Sequence, residues 1–103
     1  MKEINIGDKT YEFKAPLSKL NVWLKKKTNG KYNVGRLGEY IQDDLYEATV
    51  NLIHFGIGDQ MSKADLVKVS DEDFTVIADW TDFLMKYWKL DKVAVVEGAE
   101  SGN

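Results

Sequence analysis

The segment Asp73–Leu90, DFTVIADWTDFLMKYWKL, is apolar around most of the circumference of a helix, so in a chain of 103 residues it is either buried or part of an interface. At about 100° per residue, its apolar side chains form two neighbouring faces. The first face, typical of an ordinary core stripe, carries Phe74, Ile77, Ala78, Leu84, Met85 and Trp88. The second face carries Val76, Trp80, Phe83, Tyr87 and Leu90.

The sequence alone leaves two interpretations of the second face. In the first, the helix is buried at the centre of the fold, with other elements covering both faces. In the second, the face contacts a partner protein, because aromatic side chains bury a large area at a low entropic cost. The residues predicted to contact a partner are then Val76, Trp80, Phe83, Tyr87, Leu90 and Trp23.

The N-terminal residues 2–13 predict a β-hairpin, since apolar and polar residues alternate on both sides of Gly7-Asp8. Pro16 suits the start of a helix that runs to about Lys27 and is broken by Asn29-Gly30.

A second, longer helix is predicted from about Arg36 to Phe55, with Gly56 as the residue that ends it. Its apolar stripe is formed by Leu37, Ile41, Leu45, Ala48, Leu52 and Phe55. Asp44 falls on this stripe, and pairing with a cation of the N-terminal part is the simplest explanation.

Two capping signals follow, each a serine with an acidic residue three positions later. Ser62–Asp65 predicts a short helix to about Val69, and Ser70–Asp73 predicts the start of the last helix, which runs to about Leu90. The predicted fold is therefore mainly α with a small N-terminal hairpin. We expect about four helices in one compact domain over residues 1–92, followed by a flexible tail over residues 93–103.

The charges are unevenly distributed along the chain. Residues 1–36 hold nine Lys or Arg and three acids, whereas residues 37–103 hold five Lys and fourteen acids, for a net charge of -3. Such polarity either steers self-association or a charged partner, or is neutralised within one fold. The overall negative charge disfavours nucleic-acid binding, and no apolar run is long enough to span a membrane.

The sequence contains no pattern that predicts catalysis or metal binding. It lacks cysteine and holds one histidine, His54, predicted to be a surface residue near a helix end. Asp43 and Asp44 diverge by about 100° on a helix, so they are poorly placed to share a cation. We therefore expect a protein that is not an enzyme and uses no cofactor or metal.

The hairpin EINIGDKTYEFK, the helix end DLYEATVNLIHFGI and the capped stretch SKADLVKVSDED occur in an order that resembles the tail assembly chaperones of long-tailed bacteriophages, especially those infecting Gram-positive bacteria. The resemblance implies a non-catalytic protein that binds the tape measure protein, helps recruit tail tube subunits and often self-associates. It also implies a location in the host cytoplasm and absence from the mature virion. The alternative is a small cytoplasmic regulatory protein that acts through protein contacts, with DNA binding disfavoured by the acidic start of the last helix.

Overall fold

The computed structural model describes residues 2–90, and its chain begins with the predicted hairpin. Strands β1 (Lys2–Ile6) and β2 (Lys9–Phe13) pair antiparallel with Ile6 opposite Lys9, so Gly7 and Asp8 form a two-residue loop. Gly7 has a φ of 65°, which glycine adopts without the steric cost of a side chain. Ile4, Ile6 and Phe13 point to the buried face, as the period of two requires. The predicted hairpin is confirmed.

Five α-helices follow within residues 2–90, rather than about four. They are α1 (Leu17–Lys27), α2 (Leu37–Asp43), α3 (Leu45–Ile57), α4 (Lys63–Glu72) and α5 (Thr75–Tyr87). Short 3₁₀ turns at Val34–Arg36 and Gly58–Gln60 precede α2 and follow α3. Helix α3 is the central element, because α2, α4, α5 and strand β2 all pack against it. No helix within these residues is long and apolar enough to span a bilayer.

The additional helix arises from a break at Asp44, where one continuous helix was predicted. Asp44 adopts a φ of -147° and a ψ of 75°, outside the helical region, and its carboxylate accepts a hydrogen bond from the Glu47 N–H at 3.4 Å. An aspartate at this position satisfies an N–H group that has no partner inside the helix. Asp44 is therefore the N-cap of α3, which explains an acidic residue on the predicted apolar stripe without any pairing to a cation.

Of the two predicted capping signals, the first is confirmed and the second is wrong. Ser62 Oγ accepts a hydrogen bond from the Asp65 N–H at 3.1 Å and begins α4. Ser70 instead lies inside α4, buried, and its hydroxyl donates to the Val67 carbonyl at 2.8 Å. The Asp73 carboxylate makes the cap of α5, accepting from the Thr75 N–H at 3.0 Å.

The hairpin docks onto α3 at a glycine. Gly56 is buried inside α3 against the ring of Phe13, and its carbonyl accepts a hydrogen bond from the Lys14 N–H at 2.9 Å. Gly58, with a φ of 60°, ends the helix two residues after the predicted position. Gly56 is thus a packing residue that permits the close approach of strand β2. The predicted flexible tail, residues 93–103, lies outside the described residues.

Candidate protein-interaction surfaces

The buried side of α5 runs between the two faces predicted from the sequence. Ile77, Trp80 and Leu84 are its buried residues, and Trp80 is only 2% exposed. Phe74, which was assigned to the core stripe, is 90% exposed, and Ala78 is also exposed. The predicted division into a core face and a partner face is therefore shifted around the helix, because strand β2 and α3 both pack on α5.

Phe83 and Tyr87, two of the predicted partner contacts, pack within the chain. Their rings meet Phe13 edge-on, at centroid distances of 5.0 and 4.8 Å. The Ala15 N–H donates to the Tyr87 hydroxyl at 3.2 Å, and the Trp88 indole N–H donates to the Ala15 carbonyl at 3.2 Å. These contacts fix the end of the hairpin to the end of α5.

The remaining predicted contacts are divided between two regions. Val76 and Leu90 are half-buried against the core, whereas Trp23 lies on α1 and packs on Phe55 at a centroid distance of 5.0 Å. Phe83 and Tyr87 therefore lie together on α5, whereas Trp23 lies on α1 and is not part of the same cluster. Because Trp80 is covered by the chain itself, we place it in the core. Whether the half-buried residues contact a partner stays a prediction.

A more exposed aromatic surface lies where α4 meets α5. Phe74 is 90% exposed and directly follows the exposed acids Asp71, Glu72 and Asp73. Tyr46, 38% exposed, reaches this point from the start of α3, since its hydroxyl lies 2.8 Å from Ser70 Oγ and donates to Asp71 Oδ1 at 3.3 Å. Phe74 is three positions after Asp71 in the chain, so their Cα atoms are at most about 11 Å apart. We call this surface, formed by Tyr46, Asp71, Glu72, Asp73 and Phe74, the Phe74 corner.

Sequence reasoning missed the Phe74 corner because it placed Phe74 inside the last helix. The feature of the sequence that could have indicated the corner was the run of acidic residues directly before Phe74. The run was interpreted as a serine-capped first turn, whereas it ends α4 and turns the chain at Asp73, whose φ and ψ are -144° and 105°. Phe74, with a φ of -56° and a ψ of -33°, follows at the start of α5, where no other element of residues 2–90 covers its side chain.

A second surface, with basic character, lies on the outer side of α1. Val22, 63% exposed, lines an open groove of about 460 Å³ together with Lys25, Lys26, Asn29 and Gly30. The groove ends where α1 closes in a Schellman motif: the Gly30 N–H donates to the Lys25 carbonyl at 2.7 Å, and Asn29 has a φ of 54°. We call this surface the α1 groove.

The lysines of the α1 groove are not engaged within the described chain. The ion pairs among residues 2–90 are Arg36–Glu39, Lys63–Glu47 at 3.0 Å and Lys86–Asp82 at 2.9 Å. Of these, only Arg36–Glu39 joins the basic N-terminal part to the acidic remainder. Lys25 and Lys26 therefore complement the negative end of the α1 dipole but keep their ammonium groups available to a partner.

The titratable groups with shifted pKa values serve the fold. The hydrogen bond and charge of Lys63 hold the pKa of Glu47 below its usual value. Donation of its hydroxyl to Asp43 raises the pKa of Tyr32, and burial raises the pKa of Tyr40. Each of these interactions joins neighbouring elements around α2 and α3.

The residues considered for metal binding or catalysis do not form a common site. His54 is half-buried in the last turn of α3. Asp43 accepts the Tyr32 hydroxyl, and Asp44 caps α3, so the two carboxylates are used separately. In residues 2–90, no group of three or more His, Cys, Asp or Glu side chains is placed to hold a metal ion.

Comparisons with known proteins do not assign the chain to a family. No protein-family model, no curated protein and no solved structure matches it.

Proposed function

We propose that the chain is a non-catalytic assembly helper that acts through protein–protein contacts and uses the Phe74 corner to make them. The supporting observation is the 90% exposure of Phe74, three positions after the Asp71 carboxylate that accepts from the Tyr46 hydroxyl. Single exposed apolar residues are common on proteins. Here, however, the aromatic residue directly follows Asp73, whose carboxylate accepts from the Thr75 N–H. Aromatic residues are enriched among those that carry much of the binding energy at protein interfaces.

The kind of helper follows from the resemblance to tail assembly chaperones. We propose that its partners are the tape measure protein and, through it, the tail tube protein, and that it works in the cytoplasm of a bacterial host. The three acids around Phe74 favour a partner segment that combines apolar side chains with Lys or Arg, because complementary charge speeds association and selects the partner.

The test is binding to helical fragments of a tape measure protein from the same phage genome, measured by titration calorimetry. Phe74→Ser should raise the Kd about tenfold or more, as expected for the loss of an aromatic anchor. Leu17→Ser is the matched control, because Leu17 is 52% exposed on α1 and belongs to neither named surface. Absence of binding by the unmodified chain to every fragment would contradict the chaperone assignment. An unchanged Kd for Phe74→Ser would contradict the assignment of the corner.

The alternative function, a regulatory protein that acts through protein contacts, differs from the chaperone in the partner that it binds. If the tape measure fragments do not bind, co-purification of the unmodified chain from phage-infected cells would identify that partner. Phe74→Ser should then lose it while Leu17→Ser retains it.

A further inference from the structure

We propose that the outer edge of strand β1 accepts an extended segment of a partner protein as a third strand, and that this segment carries a Lys or Arg opposite Glu3. The inference goes beyond the proposed function, because the β1 edge and the Phe74 corner are formed by different parts of the chain. Two observations carry it: the backbone groups that the hairpin leaves open, and two carboxylates that lie opposite each other on it.

The register of the hairpin determines which backbone groups lie at its edges. Ile6 and Lys9 flank the two-residue loop and form a hydrogen-bonded pair, and hydrogen-bonded and non-hydrogen-bonded pairs alternate from there. Glu3 and Asn5 therefore belong to non-hydrogen-bonded pairs. Their N–H and C=O groups point away from β2, along the outer edge of β1.

The two edges of the hairpin differ in what covers them. On β2, the Glu12 N–H donates to Gln60 Oε1 at 3.2 Å, and Gln60 Nε2 donates to the Glu12 carbonyl at 2.7 Å. On β1, no hydrogen bond joins the backbone groups of Glu3 and Asn5 to another part of residues 2–90, and both residues are exposed. The β1 edge therefore presents donors and acceptors at the spacing of a strand, which an extended backbone can match.

The carboxylates of Glu3 and Glu12 indicate the charge of the occupant. The two residues lie directly opposite each other, in the kind of pair whose side chains are closest. Both are exposed, and neither forms an ion pair within residues 2–90. Like charges directly opposite each other destabilise a sheet. A Lys or Arg on a third strand, beside Glu3, would offset this repulsion.

The alternation of the two faces defines the rest of the partner segment. Ile4 and Ile6 point to the buried face, whereas Glu3 and Asn5 are exposed. Because side chains alternate with a period of two, a partner residue opposite Ile4 lies on the buried face, where an apolar side chain extends the core. The occupant is therefore an extended segment that alternates apolar and polar residues. A helix does not fit this edge, because its backbone groups are already bonded to one another.

The experiment is an NMR titration of the full chain with a short synthetic peptide that alternates threonine with valine and carries one lysine in place of a central threonine. The peptide is added to about 1 mM, so that a Kd in this range is detected. The amides of Glu3 and Asn5 should show saturable shifts and slower hydrogen exchange. Absence of saturable shifts at these amides would overturn the proposal. Protection that depends only on the concentration of the chain itself would assign the edge to a second copy, and would also overturn it.

A charge swap tests the role of Glu3. Glutamate in place of the peptide lysine should weaken binding about fivefold, because an attractive cross-strand pair becomes a repulsive one. Glu3→Lys should invert this preference, so that the glutamate peptide binds more tightly. Asp79→Lys is the matched control, since it makes the same change of net charge at an exposed position of α5 and should keep the preference for lysine. An unchanged preference in Glu3→Lys, or the same inversion in the control, would refute the position of the cation.

Two proline variants separate the two edges. Asn5→Pro removes an outward N–H of β1, and Thr10→Pro removes the outward N–H of β2 in the same residue pair. Both lose the hydrogen bond from Thr10 Oγ1 to Asn5 Oδ1 at 2.8 Å, and neither loses a bond between the strands. Asn5→Pro should weaken peptide binding about fivefold or more, whereas Thr10→Pro should bind like the unmodified chain. Equal binding by the two variants would contradict the assignment to β1. If proline unfolds the hairpin, the charge swap decides.

Failure of this inference and failure of the proposed function are distinguishable. Phe74→Ser should leave binding of the lysine peptide unchanged, because the Phe74 corner is not part of the β1 edge; a loss would mean that the peptide binds at the corner, and would overturn the inference. Absence of binding to the tape measure fragments would contradict the proposed function and leave the β1 edge unaffected.

Discussion

Substitution of Gly56 by alanine should destabilise the protein, although alanine is the better helix former. A Cβ atom at this position would lie 2.0 Å from Phe13 Cε2, and two further ring carbons lie within 2.4 Å. The ring has no room to retreat, because Phe13 is 1% exposed and is surrounded by Phe83, Tyr87 and Trp88 at centroid distances of 5.0, 4.8 and 6.1 Å. Strand β2 must therefore move away from α3, or Phe13 must leave its site.

The magnitude follows from two opposing terms. Replacement of a helical glycine by alanine contributes about 1 kcal/mol in favour of the folded state. Overpacking a core costs about 1–3 kcal/mol, and loss of a buried phenylalanine costs about 3–5 kcal/mol. Because the clash involves a confined ring, we expect an overpacking cost at the upper end of its range. Subtraction of the gain from alanine then leaves a net destabilisation of about 2 kcal/mol. For a chain of this size, that lowers the Tm by about 10 °C.

The assay is urea unfolding followed by tryptophan fluorescence, with the free energy of unfolding taken from the midpoint and slope. Gly38→Ala is the matched control, because Gly38 lies in α2 and a Cβ atom there meets nothing within 4 Å. It should be neutral or stabilising by up to about 1 kcal/mol.

A coupled variant tests the cause. In a Phe13→Leu background the smaller side chain relieves the contact, so Gly56→Ala should cost less than in the unmodified chain. If Gly56→Ala is neutral or stabilising, or costs the same in both backgrounds, the close packing of the hairpin on α3 is not what requires glycine.

Three further predictions concern the core, a cap and an ion pair. Trp80→Ala should lower the free energy of unfolding by about 3–5 kcal/mol in the same urea assay, because Trp80 is 2% exposed; a change below 1 kcal/mol would mean that its ring is not core. Asp44→Ala should cost about 1 kcal/mol by losing the cap of α3, whereas Asp44→Asn should cost only a few tenths; equal losses would exclude the capping role. Lys63→Met should raise the pKa of Glu47 in an NMR titration. The folded-state pKa of Glu47 is below the unfolded value, so the pair stabilises the fold above about pH 4.3 and loses this effect as pH falls through the folded-state pKa. Glu47 is half-exposed, so the contribution should not exceed about 0.5 kcal/mol, and an unchanged pKa would contradict the assignment.

The Phe74 corner is a feature that the sequence did not predict. A helical wheel of the last helix identified its apolar residues correctly, but it placed Phe74 on the core stripe and left Trp80 either buried or in contact with a partner. The structure exposes Phe74 and buries Trp80. A helical wheel gives the angles between side chains around one helix, but the neighbouring elements determine which side of the helix is buried. In α5 the buried side packs near Phe13 and Thr49, which lie far from α5 in the chain.

Features determined by a few neighbouring residues followed from the sequence alone. The hairpin over residues 2–13, its loop at Gly7-Asp8, the cap at Ser62 and the end of α1 at Asn29-Gly30 each depend on backbone preferences or hydrogen bonds within about five residues. The tertiary structure alone decided two others: the close contact of Gly56 with Phe13, and the exposure of Phe74. In each, local preferences allow more than one conformation, and the burial of side chains distant in the chain selects among them. The surface on which the proposed function depends belongs to this second group.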